Sequence, residues 1–187
     1  MIRARRRQPR SGRARCVLAA LFLTASSGAL GQASRLDAPN VVEISSTLVT
    51  SGQPSAAALG TLKARGFEAV IYLAPPTVHD AVRDEQLIVT RQGLTYVNIP
   101  IRFERPTDAD FEAFAAAMQK LGQRKTLVHC QINMRASSMV FLYRVIYLKQ
   151  DPKLAYNAVS GVWVPEGARR RLIEDELRKH KVAFELL

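Results

Sequence analysis

A histidine, a cysteine and an arginine lie close together in the run Thr126-Leu127-Val128-His129-Cys130-Gln131-Ile132-Asn133-Met134-Arg135-Ala136-Ser137-Ser138. A thiolate is a strong nucleophile, and a guanidinium offers a planar fork of donors that suits an oxyanion. The run opens as a short apolar strand, passes through a polar loop and continues as a helix from about Ala136 to Leu148. That helix is apolar nearly all round (Met139, Val140, Phe141, Leu142, Tyr143, Val145, Ile146, Tyr147, Leu148), which predicts a buried one. The loop is then held at the start of a core helix, where backbone N–H groups lack partners and the macrodipole is positive. Anions bind at such places, and a cysteine there is favoured in its reactive, ionised form.

His129-Cys130, the arginine that follows and the small hydroxyl residues after it resemble the signature of cysteine-dependent protein tyrosine and dual-specificity phosphatases. That signature is His-Cys, five residues, Arg, then Ser or Thr. Here four residues separate Cys130 from Arg135. The shorter spacing looks like an atypical bacterial branch of phosphatase-like proteins, related to the domain found beside beta-lactamase-like hydrolases. It also equals the active-loop length of rhodanese sulfurtransferases. The Ser51-Gly52-Gln53-Pro54 stretch is similar to one found early in the same phosphatase-like branch; read from its residues alone, it is a helix start.

The chemistry implied is hydrolysis of phosphomonoesters. Cys130 would attack phosphorus in line and form a phosphocysteine. Arg135 would grip two equatorial oxygens, and the loop amides of Gln131, Ile132, Asn133, Met134 and Arg135 would hold the rest. By the resemblance, His129 orders the loop, and the hydroxyl of Ser137 or Ser138 faces the sulfur. Asn133 suits the positive φ that a tight loop demands. The leaving oxygen needs a general acid, which the family carries on the loop after the strand matching Tyr96 to Ile101. Glu104 and then Asp108 are the candidates there. Two further readings stand beside this one: a sulfurtransferase with a persulfide on Cys130, and a non-catalytic module that holds phosphate or sulfate.

The elements that must position these residues alternate along the chain. Strands are predicted at Val41 to Val49 (an edge strand), Glu68 to Leu73, Leu94 to Ile101 and Thr126 to His129. Helices are predicted from Ser55 to Arg65 with Gly66 past the end, from Val78 to Gln92 with Gly93 closing, and from Thr107 to Leu121. The last of these has a capping-box-like start at Thr107 and Asp110. Two more helices follow, one from Asp151-Pro152 through Ser160 and one from Pro165. Alternation of this kind predicts a three-layer αβα domain with a mostly parallel sheet of four to five strands, and ligands at the carboxyl ends of its strands.

The formal net charge of +11 is unevenly distributed. Met1 to Ala33 holds seven arginines and no acid, so the remainder carries 27 − 7 − 16 = +4, an ordinary surface that gives no reason to expect a nucleic-acid partner. Arginines, a short apolar run from Cys16 to Leu23 and small residues up to Ala33 match a secretory signal peptide. The expected organisation is therefore a signal at 1–33, a linker at 34–40 and an α/β domain at 41–187. The mature domain would be exported to the periplasm, with no membrane association after cleavage; left uncleaved, the same segment would anchor it in the membrane. Once Cys16 leaves, Cys130 has no internal disulfide partner. His79 and His180 stand apart from other ligand types, so no metal or cofactor is expected. The expected partner is a phosphorylated small molecule or protein.

Overall fold

The computed structural model describes residues 35–186; the expected export signal lies outside them. Strands β1 (Val42–Ser45), β2 (Leu48–Ser51), β3 (Ala69–Tyr72), β4 (Thr95–Asn98) and β5 (Thr126–His129) form one sheet in the spatial order β1-β2-β5-β3-β4. β1 and β2 pair antiparallel, and every other pairing is parallel. The described residues also hold six α-helices: α1 (Ala56–Leu59), α2 (Glu85–Thr90), α3 (Asp108–Leu121), α4 (Met134–Ile146), α5 (Pro152–Ser160) and α6 (Gly167–Lys179). The three-layer α/β arrangement is the one that the alternating pattern predicts.

β5 is the middle strand, and its residues divide between two cores. Leu127 packs with Leu59, Leu62, Val70 and Val89 on one face. Val128 packs with Ile71, Phe111, Phe141 and Ile146 on the other. Side chains alternate along a strand, so a strand covered on both faces must be apolar at every position that points into a core. Each such side chain contributes about 1.5–3 kcal/mol by leaving water. α4 runs along the second face against β2, β5, α3, α5 and α6. All its residues except Met134 and Arg144 are buried, as the missing polar face predicts.

The structure departs from the sequence reading in several places. Val41 to Val49 is a hairpin rather than one strand: the chain turns after Ser45, and Leu48–Ser51 joins β5. The helix predicted over Val78 to Gln92 is only Glu85–Thr90, because Asp84 takes a left-handed conformation (φ 58°) that a right-handed helix cannot continue through. The first helix is a single turn followed by a 3-10 segment at Lys63–Arg65, ended by Gly66 at φ 80°. β4 stops at Asn98, short of Pro100, which has no N–H to give a ladder. The stretch expected as a linker packs on the domain, with Leu36 in a core and Asn40 bonded to the loop after β5. α4 begins two residues early, at Met134, so Arg135 belongs to its first turn.

Candidate active site

β5 delivers His129 to the carboxyl end of the central strand, with Ser51 of β2 on one side and Tyr72 of β3 on the other. Cys130 follows, buried, and its N–H donates to the Ser51 carbonyl at 3.2 Å. The loop then folds against the stretch after β2, where the Gln53 N–H donates to the Gln131 carbonyl at 2.9 Å. Asn133 closes it at φ 73°, ψ −1°, the left-handed region that asparagine tolerates better than most residues. Its side-chain amide donates to the Asn40 carbonyl (2.6 Å) and to Thr50 Oγ1 (3.0 Å). Asn40 returns a bond to the Ile132 carbonyl at 3.0 Å. Two asparagines more than ninety positions apart thus brace the loop from opposite ends.

His129 is fully enclosed. Its Nε2 is 2.8 Å from Glu85 Oε1, and Gln53 Nε2 donates to Glu85 Oε2 at 2.7 Å. The Tyr72 ring stacks on the imidazole at 4.7 Å with an interplanar angle of 18°. Burial raises the Tyr72 phenol above its usual range, and the Glu85 and Asp80 charges push the same way. The imidazole is therefore fixed in tilt by Tyr72 and in rotation by Glu85, and Glu85 by Gln53.

Arg135 is mostly buried, with its guanidinium 5.1 Å from the centre of the Phe103 ring. Its Nη2 donates to Gln131 Oε1 at 3.3 Å, and its Nε has no partner. Among the described residues no carboxylate pairs with it. The first turn of α4 holds no acidic residue, and Asn133 gives no side-chain cap. A cation with no carboxylate paired to it thus stands at the positive end of a helix, an arrangement that favours a bound anion.

Cys130, Gln131, Ile132, Met134, Arg135, Phe103, His79 and Asp80 line one cavity of about 270 Å³. The proposed nucleophile, the arginine and part of the loop are brought together there. The other candidates are not. Ser137 and Ser138 both donate to the Met134 carbonyl, at 3.2 and 2.9 Å. Glu104 is exposed and accepts from Arg169 Nη1 at 3.0 Å. Asp108 is exposed at the start of α3, 3.7 Å from Lys179 Nζ. The sequence reading overlooked Asp80, Glu85, Asn40 and Phe103. Ser51-Gly52-Gln53-Pro54 was the only pointer to the Glu85 network, and no local signal marks Glu85 itself. No cluster of three or more metal-binding side chains is present among the described residues.

A mostly parallel sheet with a Cys-to-Arg loop between its central strand and a buried helix defines a phosphatase-like protein of the dual-specificity and tyrosine class. Residues 32–169 match the family described as "DSP-PTPase phosphatase fused to NAD+ Kinase", and the chain belongs to that family. It is 32% identical over 129 residues to the beta-lactamase hydrolase-like protein of Xylella fastidiosa (strain Temecula1), covering 65% of this chain and 29% of that protein. The chain thus spans less than a third of the length of the curated relatives it matches. A DUF442 protein from Shewanella putrefaciens CN-32 superposes with a TM-score of 0.71 at 29% identity, over 76% of this chain and 94% of the other. Tk-PTP in its active form superposes with a TM-score of 0.60 at 18% identity, over 78% and 99%, and shares the fold.

Proposed function

We propose that the protein hydrolyses phosphomonoesters through a phosphocysteine on Cys130. The observation that carries this reading is Arg135 at the start of α4, paired with no carboxylate, in the same cavity as the buried Cys130. A phosphoryl group supplies the missing anion. Its equatorial oxygens take the guanidinium in place of Gln131 Oε1, and the loop N–H groups meet the charge that develops on attack. His129, held by Glu85 and Tyr72, keeps the loop in register with β5. The substrate is a phosphorylated small molecule or protein met after export, an assignment resting on the composition of residues 1–33.

A second reading is favoured by one observation. The loop reaches Arg135 after four residues instead of five, the spacing of a sulfurtransferase that carries a persulfide. Turnover of p-nitrophenyl phosphate against thiosulfate plus cyanide separates the two. The expected result is phosphate release by the wild type and a phosphoryl-sized mass gain on Cys130 in a rapid quench. C130S should abolish release, and R135K should lower it by about 100-fold. Thiocyanate formation without phosphate release would replace the first reading with the second.

A further inference from the structure

We infer that Asp80, on the loop between β3 and α2, is the general acid of the reaction. The inference rests on the phosphatase reading and names a residue that reading lacks. Phosphoester cleavage needs a proton for the departing oxygen unless the leaving group is a good one. The two acids expected from the sequence are engaged elsewhere, Glu104 with Arg169 and Asp108 near Lys179, and neither lines the cavity that holds Cys130. Among the described residues, Asp80 is the one carboxylic acid that does. Its Oδ1 accepts from Gln131 Nε2 at 2.9 Å, so the residue after the nucleophile fixes its position. Its Oδ2 makes no protein hydrogen bond among the described residues and is free to carry a proton.

In the first step, Cys130 Sγ bonds to phosphorus as the P–O ester bond breaks, and the Asp80 carboxyl gives its proton to the ester oxygen, releasing an alcohol. In the second, water attacks phosphorus, the Asp80 carboxylate takes a proton from that water, and the S–P bond breaks to release phosphate and the thiolate. Each cycle returns both residues to their starting forms. Gln131 bonds Asp80 through its amide nitrogen and Arg135 through its oxygen. Before substrate binds, one side chain therefore sets the spacing between the acid and the anion clamp.

The test compares D80N with the wild type on two esters, phenyl phosphate and 2,4-dinitrophenyl phosphate, whose leaving group departs without a proton. The expected kcat/KM loss is about 100-fold or more on the first and about threefold on the second. The high-pH limb of the wild-type profile should flatten in D80N, and D80E should recover part of the phenyl phosphate rate. Thermal melting and the alkylation rate of Cys130 check that D80N is folded with its thiol in place. Equal losses on both esters would reduce Asp80 to a positioning partner of Gln131 and overturn the assignment. A leaving-group-dependent loss in H79Q or E104Q, with none in D80N, would overturn it too. A wild type that neither hydrolyses an ester nor forms phosphocysteine overturns the phosphatase reading and the assignment with it; an active wild type with an unaltered D80N overturns the assignment alone.

Discussion

A Cβ atom on Gly52 would stand 2.7 Å from the Gln131 carbonyl oxygen, 2.8 Å from Pro39 Cβ and 3.0 Å from Ile132 Cα. Two of these atoms are backbone of the loop that carries Cys130, and backbone cannot rotate out of the way. Glycine is needed here for close approach rather than for an unusual φ. It lets the chain after β2 lie flat on the loop and form the Gln53-to-Gln131 bond. G52A should therefore cost about 1–3 kcal/mol in urea unfolding, the range for inserting a methyl group into a packed site. It should also lower phosphatase turnover, because Gln131 must move and takes Asp80 and Arg135 with it. A G52A variant as stable and as active as the wild type would mean that the loop shifts at no cost.

β5, α2 and the turn after β2 meet at the enclosed His129–Glu85–Gln53 chain, which ties three separate elements into one unit. E85A leaves the enclosed His129 Nε2 and the Gln53 amide without their shared partner and should cost about 1–3 kcal/mol in chemical denaturation. E85Q should cost less, because the shape and one acceptor remain. Equal stability for E85A and the wild type would show that the pair is not structural. At this scale the sequence was informative where contacts are local. The Thr107/Asp110 capping box, the Asp151-Pro152 start of α5 and the apolar sweep of α4 act within a few residues and were legible. The helix expected at Val78 failed because its pattern says nothing about Asp84 turning left-handed. Asp80, the acid inferred above, was not legible for a related reason. Glu104 and Asp108 follow the family's chain order, whereas the fold carries Asp80 to the cavity across some fifty positions of sequence, as its bond to Gln131 shows.

Across the whole domain, stability should depend on pH through Glu176 on α6. Its side chain is enclosed, and Oε2 has no hydrogen bond; the charged or titratable groups facing it are Lys179 Nζ at 3.5 Å, His180 Nε2 at 3.4 Å and, more distantly, Asp108. Burial raises its carboxyl above the ordinary range, and the Lys179 charge offsets only part of that. A raised folded value means that the fold disfavours the ionised form. Below the unfolded value of about 4.3 the group is neutral in both states and costs nothing. As pH rises from there through the folded value, the unfolded chain ionises first and stability falls, after which the cost stays constant. E176Q, which cannot ionise, should melt above the wild type at neutral pH, and the gap should close as the pH drops below the unfolded value. Thermal melts of the two proteins across that window check it. A constant gap, or a less stable E176Q at neutral pH, would show that the Lys179 and His180 contacts outweigh the cost of burial.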